Sequence, residues 1–392
     1  MPSGYNEWFI GGGSQPPPIA AASNRKAGLT GQFAVIHSQR ATITPMSTLR
    51  IGIVGLGGNC RLRHVPGLRA CDNVEITGVV NRRPESTQSV AEEYGIPKTY
   101  NHWEDLVVDP EIDAVVIGTW PYLHCPITLA ALDAGKHVLV EARMAMNATE
   151  AQQMLSASQQ HPELVAQIVP SPIGFKVDRV VKEMLGNGFL GQLRELAVIG
   201  SFDGLADPDA PLEWRQSATF SGMNMLFLGI VHETVMRWAP DPIHVYAQTH
   251  AFTPERTDPV SGQMVPVGTP DSVQVLTVLD GGARGLYHLS GAVRFGPVIQ
   301  IHLYGSEGTI KYVSQPEDQL LAARRGDESL QEIPIPPDQV YDWRVEQDFV
   351  EAIRGQRTVD MTDFATGVRY MEFTEAVARS ADAGQAIGLP LM

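Results

Sequence analysis

Cysteine, basic side chains and long apolar runs are all scarce in this chain of 392 residues. Its three cysteines, Cys60, Cys71 and Cys125, form no Cys-x-x-Cys pair. This argues against a disulfide framework and a structural zinc site, and it fits a reducing cytoplasm. No window approaches the roughly 18 uninterrupted apolar residues of a membrane-spanning helix. We therefore expect a cytoplasmic protein with no bound metal and no membrane span.

The charge balance argues against two classes of partner. The chain has 29 Lys and Arg against 44 Asp and Glu, a formal net charge of −15 at pH 7. Nucleic acids and anionic membranes both select clustered basic side chains, so we expect neither as a partner. Hydrophobic residues make up 43% and charged residues 19%, enough for sizeable cores. The length suggests two domains.

Residues 1–46 differ in character from the rest. The stretch from Gly11 to Pro18 has low complexity, and no apolar period follows it. The segment lacks the basic start and continuous apolar core of a signal peptide. We expect a disordered leader, with Met46 as a candidate start. The alternative is an ordered arm that crosses onto a partner subunit.

Short apolar strands alternate with helical segments from Leu49 to about Ser158. The runs 49–54 and 114–117 have the continuous apolar character of strands buried on both faces. Such alternation predicts βαβ units in a doubly wound parallel sheet, the Rossmann arrangement. We place this dinucleotide-binding domain at residues 47–170.

The pattern changes over residues 171–392. A helix is predicted over 222–238, and five strand-like runs follow between residues 243 and 313. Tight turns such as Asp280-Gly-Gly282 predict antiparallel hairpins. The Pro-, Gly- and Thr-rich segment 251–270 is predicted to be a long loop. This half is therefore expected to be an α/β domain with antiparallel strands.

A glycine-rich turn directly follows the first predicted strand and precedes a helix. In Gly55-Leu-Gly57-Gly58-Asn59-Cys60, Gly55 permits a tight turn and Gly57 lets backbone amides approach a pyrophosphate. Cys60 stands where the third glycine of the fingerprint is usual. In this strand–turn–helix context the pattern predicts dinucleotide binding. The alternative is a sharp turn that binds nothing.

The end of the second strand bears on the choice of dinucleotide. An acidic residue there would hold the ribose hydroxyls of NAD, but this chain has Asn81-Arg82-Arg83. Neutral Asn81 removes repulsion, and either arginine is suited to a 2′-phosphate, which favours NADP. Two alternatives stay open: the arginines are a solvated loop pair, or Asn81 bonds a ribose, so NAD is not excluded.

Four motifs together resemble the Gfo/Idh/MocA oxidoreductase family: Gly55-x-Gly57, Asn81-Arg82, Thr119-x-Pro121-x-x-His124 and the run from Ala134 to Glu141. The resemblance covers about 49–385. It implies that the second domain holds a large open, mostly antiparallel sheet, through which homodimers or homotetramers form. We also expect the last helix to pack back on the first domain. The implied activity is NAD(P)-dependent oxidation or reduction of a secondary alcohol or carbonyl on a sugar, cyclitol or related molecule.

The resemblance and the glycine turn together define an expected cofactor site. Trp120 and Tyr122 follow the third strand, where they pack either within the loop or against the nicotinamide or a sugar. Trp214 and Arg215 are further candidates for substrate contact. The expected cofactor-binding residues are Gly55, Gly57, Gly58, Asn59, Asn81, Arg82, Arg83, Thr119, Trp120, Pro121, His124, Glu141 and Arg143.

The chain departs from the family at its proton-transfer positions. Family members usually carry Glu-Lys-Pro, whereas this chain has Glu141-Ala142-Arg143, and an arginine is a poor general acid or base. The family's Asp-x-x-x-His positions are Phe227 and Val231 here. The resemblance therefore implies a non-standard proton relay.

Two residues are candidates to replace the missing relay. His232 follows Val231, rotated by about 100° around the helix, and reaches the cleft if the helix is shifted. Its alternative is a surface or satisfied core histidine. Lys176 and Ser171 lie in the segment where the family often contacts substrate. The alternative for Lys176 is an exposed lysine at a helix start.

Three functional hypotheses follow. The first is an NAD(P)-dependent oxidoreductase whose protons pass through His232, Lys176 or an ordered water. The second is a dinucleotide-binding protein without turnover, acting as a sensor or partner subunit. The third is a cofactor-assisted elimination or hydrolysis of a sugar. We prefer the first, because the resemblance spans the chain whereas the losses concern three positions.

Overall fold

The computed structural model describes residues 47–391, so the expected leader at 1–46 lies outside the described residues. The first sheet has six strands: β1 (Leu49–Val54), β2 (Val74–Val80), β3 (Lys98–Thr99), β4 (Ala114–Ile117), β5 (His137–Val140) and β6 (Ala166–Ile168). All pair in parallel, in the order β3-β2-β1-β4-β5-β6. This confirms the doubly wound Rossmann sheet. Its winding reverses between β1 and β4, where such sheets bind ligands.

Helices connect these strands. A π-helical turn, Cys60–His64, leads into the first of them. The α-helices are α1 (Val65–Arg69), α2 (Pro84–Tyr94), α3 (Trp103–Val108), α4 (His124–Asp133) and α5 (Ala148–Gln160). Their ends have local causes. Helix α2 stops at Gly95, which takes the left-handed conformation with φ of 61°. Helix α5 starts at Asn147, whose side chain accepts a 2.9 Å hydrogen bond from the amide of Glu150.

The second sheet is larger and mixed. Its strands are β7 (Leu193–Ser201), β8 (Pro242–His250), β11 (Ser272–Leu279), β12 (Arg284–Ser290), β13 (Gln300–Gly305), β14 (Gly308–Val313), β15 (Gln319–Arg324), β16 (Gln331–Glu332) and β17 (Ile387–Gly388). A separate hairpin is formed by β9 (Glu255–Thr257) and β10 (Met264–Pro266). The order is β16-β15-β14-β13-β7-β12-β11-β8-β17. Strands β7 and β12 pair in parallel and the other neighbours are antiparallel. This confirms the large, mostly antiparallel sheet.

Five helices complete the described chain: α6 (Asp178–Gly186), α7 (Ala218–Ser221), α8 (Leu228–Met236), α9 (Val345–Ile353) and α10 (Phe364–Ala383). Helix α10 contacts α5 and β6 on one side and α8, β8 and β17 on the other. Helix α9 contacts α1. Both C-terminal helices therefore pack on elements of the first sheet's unit, and α10 bridges the two sheets.

Two predicted segments differ from the structure. The helix expected over 222–238 begins at Leu228, because Gly222 has φ of 63° and Leu226 has φ of 45°, neither of which a helix allows. The amide of Met223 donates instead to the carbonyl of Met146, 2.8 Å away. The loop expected over 251–270 contains the β9–β10 hairpin.

Within residues 47–391, no helix combines the length and apolar character needed to cross a membrane. The same range contains no group of three or more His, Cys, Asp or Glu side chains placed to hold a metal ion.

Candidate active site

The glycine turn after β1 presents open backbone at the point where the sheet's winding reverses. A Cβ on Gly55, which has φ of 85°, would lie 2.8 Å from the amide nitrogen of Thr119, so a side chain is excluded there. A Cβ on Gly57 would approach nothing nearer than 3.9 Å, and one on Gly58 would meet nothing within 4 Å. Space therefore lies directly over the backbone of Gly57 and Gly58, where a dinucleotide's pyrophosphate would fit.

Cys60 fits at the third glycine position because the opposite strand end has no side chain. A Cβ on Gly118 would lie 2.3 Å from the Cys60 sulfur and 2.6 Å from the carbonyl oxygen of Gly55. Gly118, directly after β4, therefore compensates for the larger residue. Its role was not predicted from the sequence, although a glycine immediately after a buried strand is the signal for such an approach.

The side chain of Asn81 braces the glycine turn. Its Oδ1 accepts a 2.7 Å hydrogen bond from the amide of Leu56, and its Nδ2 donates to Ser86 Oγ over 3.0 Å. Arg82 and Arg83 are exposed beside it, and their guanidinium groups bond to no other residue in the described part of the chain. The two arginines are therefore free to meet a ligand at this end of β2.

His124 joins the loops that follow β4 and β5. It is fully buried at the start of α4, with Nε2 2.9 Å from the carbonyl of Thr119 and Nδ1 2.8 Å from that of Arg143. Pro121 begins the 3₁₀ turn before this helix. Thr119 Oγ1 is buried and has no hydrogen-bond partner between residues 47 and 391. An orphaned hydroxyl beside the glycine turn fits a site that a ligand completes.

A buried chain of charged groups connects the glycine turn to α9. Asn59 Nδ2 donates to Glu141 Oε1, which also accepts from His64 Nε2 over 2.9 Å. The other ring nitrogen of His64 lies 2.5 Å from Glu346 Oε1. Trp343 Nε1 donates to the second oxygen of Glu346 over 2.9 Å. Glu141, at the end of β5, is thus held by the glycine turn and by the π-helical turn Cys60–His64.

The pKa values of His64 and Glu141 both favour the charged forms. Burial alone would lower the pKa of His64, but its bonds to Glu141 and Glu346 outweigh burial and raise it to about 9. Burial acts to raise the pKa of Glu141, yet the His64 bond and charge leave it below its ordinary value. His64 is therefore an imidazolium between two carboxylates at neutral pH. Such a group positions its neighbours and does not exchange protons readily.

Two arginines, one from each half of the chain, lie close enough to act on each other electrostatically. Arg143, 8% exposed, donates through Nη2 to the carbonyl of Leu226. Arg215 lies in the 3₁₀ turn Trp214–Gln216, with its guanidinium carbon 4.4 Å from the Trp214 ring centroid. Burial, followed by the positive charge of Arg215, lowers the pKa of Arg143 to about 9. Arg143 therefore remains cationic at neutral pH.

An aromatic cluster joins the two halves beside these arginines. The rings of Trp120 and Trp214 stack with centroids 5.1 Å apart and planes inclined by 9°. Phe220 packs edge-on against both Trp120 and Tyr122. The loop after β4 and the segment before α8 are therefore held together by ring contacts.

The residues at the family's three proton-relay positions all lie in or against one apolar core. Phe227 and Val231 are 2% and 0% exposed within the second domain's core, and Ala142 packs against that core. No ionisable group stands at any of these positions.

His232 lies in the core and does not reach the cleft. It is 2% exposed, stacks on Phe373 with centroids 3.6 Å apart, and has Nδ1 2.9 Å from the hydroxyl of Tyr287. Burial lowers its pKa to about 3, so the ring is neutral. The prediction that His232 is catalytic is therefore wrong. Helix α8 is not shifted towards the cleft, and His232 is a satisfied core histidine.

Ser171 and Lys176, the two candidates in the segment before α6, differ in their surroundings. Ser171 is buried and shares a 3.0 Å hydrogen bond with Thr234 Oγ1. Lys176 is half-buried in the 3₁₀ turn Phe175–Val177. Within residues 47–391, no hydrogen bond or ion pair joins its ammonium group to Glu141. Lys176 stays a candidate without a demonstrated contact.

Two family models match the chain. One, described as an oxidoreductase family with an NAD-binding Rossmann fold, matches residues 49–168. The other, described as the GFO/IDH/MocA C-terminal domain, matches residues 179–311. Together they cover the first sheet and strands β7 to β13.

Curated relatives and solved structures are similar over most of the chain. A 1,5-anhydro-D-fructose reductase from Ensifer adhaerens is 25% identical over 342 residues, 86% of this chain and 97% of the relative. A trans-1,2-dihydrobenzene-1,2-diol dehydrogenase from Mus musculus is 29% identical over 244 residues, 62% of this chain and 68% of the relative. A structure of levoglucosan dehydrogenase with NADH and L-sorbose superposes with a TM-score of 0.77 at 22% identity, covering 88% of this chain and 100% of the other. That last likeness establishes the fold.

Proposed function

Because this chain belongs to the Gfo/Idh/MocA oxidoreductase family, we propose that it transfers hydride between a nicotinamide dinucleotide and a secondary alcohol or carbonyl of a sugar-like molecule. The observation that carries this proposal is the open backbone over Gly57 and Gly58 at the sheet's switch point. A bound dinucleotide supplies the hydride chemistry, while the protein orients the reactants and excludes water. The orphaned hydroxyl of Thr119 completes the set of groups that fit it.

Of the two dinucleotides, we propose NADP. Arg82 and Arg83 are exposed at the end of β2 with no competing partner in residues 47–391, and no carboxylate stands at this point to repel a 2′-phosphate. Asn81 is occupied in bracing the turn, which leaves it poorly placed to hold ribose hydroxyls. NAD remains the alternative, and levoglucosan dehydrogenase, which resembles this chain in fold, was solved with NADH.

The substrate class follows from relatives named for sugar or diol chemistry. Levoglucosan dehydrogenase and 1,5-anhydro-D-fructose reductase carry sugar-derived names, and the mouse relative is named for a diol. With His232 in the core, Lys176 and solvent water are the remaining proton carriers. The apolar set Ala142, Phe227 and Val231 specifically favours a second candidate, a dinucleotide-binding protein without turnover.

We place the enzyme in the cytoplasm as a homodimer or homotetramer. Cys60, Cys71 and Cys125 are all unpaired, which supports a reducing compartment. One face of the large sheet exposes apolar side chains aligned across three adjacent strands. They are Tyr246, Leu276 and Leu286, which are 48%, 57% and 42% exposed. A contiguous apolar face of this kind suits a second copy of the chain.

Dinucleotide binding at the glycine turn is tested with one substitution. Gly57→Val places a branched side chain in the space over the turn, and because a Cβ there meets nothing nearer than 3.9 Å, the fold should survive. Gly186→Val is the matched control, since its Cβ would also meet nothing within 4 Å. We expect NADPH titration, followed by nicotinamide fluorescence, to fail in Gly57→Val and to succeed in the control. Unchanged titration in folded Gly57→Val would remove the site from this turn.

A further inference from the structure

The guanidinium groups of Arg143, which is 8% exposed, and of Arg215, which is half-buried, have no carboxylate partner within residues 47–391. No Asp or Glu oxygen lies within ion-pair distance of Arg143 or Arg215 in the described range. Nε of Arg143 and Nη1 of Arg215 are buried and form no hydrogen bond there. Within residues 47–391, the Arg143 side chain forms one hydrogen bond, to the carbonyl of Leu226. The two side chains come from opposite halves of the chain, and they are close enough for the charge of Arg215 to act on Arg143.

The acidic groups that act on Arg215 from a distance are already engaged. They are Glu213 and Glu141. Glu213 accepts a hydrogen bond from the backbone of Gln216 in a capping box. Glu141 accepts from Asn59 and His64. Neither carboxylate is free to turn towards the arginines, so the protein itself does not neutralise them.

Two other buried arginines, Arg256 and Arg237, also leave guanidinium nitrogens without a hydrogen bond, but each is held by several oxygens of the protein. Arg256, 1% exposed, donates to the carbonyls of Asp207, Ala210 and Leu205 at 2.7, 2.9 and 2.7 Å. Arg237 lies 3.6 Å from the carboxylate oxygens of both Asp178 and Glu233. Leaving a buried charge unpaired costs free energy. Arg143 and Arg215 lack comparable contacts, and this contrast indicates that their partner is a ligand and not part of the chain.

We propose that the substrate carries an oxyanion, the carboxylate of a sugar acid, and that this group binds between Arg143 and Arg215. Planar guanidinium groups match carboxylates through paired hydrogen bonds, and two of them fix its orientation. The assignment rests on the proposed function, because Arg143 follows Glu141 at the edge of the sheet where the dinucleotide site lies. A phosphate ester shares this chemistry, and the experiment separates the two.

The test compares ligands that differ in one group. D-gluconate and D-glucitol differ by a carboxylate in place of a hydroxymethyl group, and D-glucose 6-phosphate supplies the phosphate arm. Binding to the full-length protein is followed by calorimetry and by tryptophan fluorescence, since Arg215 lies 4.4 Å from the Trp214 ring. Titrations are run with and without NADPH. We expect gluconate to bind about tenfold tighter than glucitol or better.

Variants assign that preference to the arginines. Arg215→Gln should remove the preference for gluconate, whereas Arg215→Lys should retain part of it because the charge is kept. Arg143→Gln provides a second variant with the same expected loss. Arg194→Gln, at an exposed arginine on β7, is the matched control and should change nothing.

The outcomes separate this inference from the function on which it rests. Equal binding of gluconate and glucitol, no binding of either anionic probe, or a preference that survives both Gln variants would overturn it. Tighter binding of glucose 6-phosphate than gluconate, with the same arginine dependence, would overturn the carboxylate assignment. Failure of wild-type protein to bind NADPH or NADH would count against the proposed function and would leave the gluconate result as it stands.

Discussion

The imidazole of His64 lies between two carboxylates, 2.9 Å from Glu141 and 2.5 Å from Glu346. His64 belongs to the turn of helix that follows the glycine turn, whereas Glu346 lies in α9, 282 residues further along the chain. The contact thus ties the C-terminal part of the chain to the dinucleotide site. A Cβ on Gly67 would lie 2.5 Å from Glu346, so this glycine provides the space for the carboxylate.

The His64 contact predicts a specific pH dependence of stability. The pKa of His64 is raised from 6.5 to about 9, so its stabilisation is complete below pH 6.5 and is lost as the pH rises through 9. The shift corresponds to about 3 kcal/mol. The difference in unfolding free energy between wild type and His64→Gln, from urea titrations, should shrink by this order between those limits. His102→Gln, at an exposed histidine, is the control. A difference that does not vary with pH would contradict the charged arrangement.

The choice of dinucleotide should depend on Arg82 and Arg83. Replacing both with alanine removes the charges suited to a 2′-phosphate, so the Kd for NADPH should rise roughly 10–100-fold while that for NADH changes about twofold or less. Both side chains are exposed, and folding should be unaffected. Fluorescence titrations of both dinucleotides measure this, with Arg194→Ala as the control. Equal losses for the two would show that the arginines do not bind the 2′-phosphate.

His232 should matter for stability and not for ligand binding. His232→Ala removes a ring that stacks on Phe373 and bonds Tyr287, which should cost about 2–4 kcal/mol of unfolding free energy. Dinucleotide and substrate affinities should be unchanged in the folded variant. Thermal denaturation and steady-state kinetics check the two parts. A large fall in kcat without loss of stability would return His232 to the catalytic machinery.

The exposed sheet face should govern assembly. Leu276→Glu and Leu286→Glu each place a charge on the apolar face, and we expect the mass measured by light scattering to fall to that of a monomer. Leu330→Glu, at a 41% exposed leucine outside the sheet, is the matched control. Wild-type protein that is already monomeric, or variants that assemble normally, would exclude this face as the interface.

Local patterns allowed much of the fold to be predicted. The apolar runs of β1 and β4 and the glycine turn between strand and helix depend on neighbouring residues, so the first sheet and its switch point follow from the sequence. The hairpin at Asp280-Gly-Gly282 follows in the same way and joins β11 to β12.

The remaining features depend on contacts between distant segments. Helix α8 starts late because the backbone of Met223 docks on Met146, which no local pattern reveals. The role of His232 likewise depends on Phe373, in α10. The candidate cofactor residues were proposed one by one from local motifs, whereas the missing hydrogen bonds of Arg143 and Arg215 depend on how the loops of both halves are placed.

The most direct test of the account is the fate of the hydride. Full-length protein is incubated with NADPH or NADH deuterated at the transferable position of the nicotinamide, together with oxidised sugar acids and neutral keto sugars, and products are analysed by mass spectrometry. We predict a single deuterium in a sugar-acid product, absent with Gly57→Val and present with Gly186→Val. A dinucleotide that binds wild-type protein yet transfers no deuterium to any of these compounds would contradict the oxidoreductase assignment and favour a binding protein without turnover.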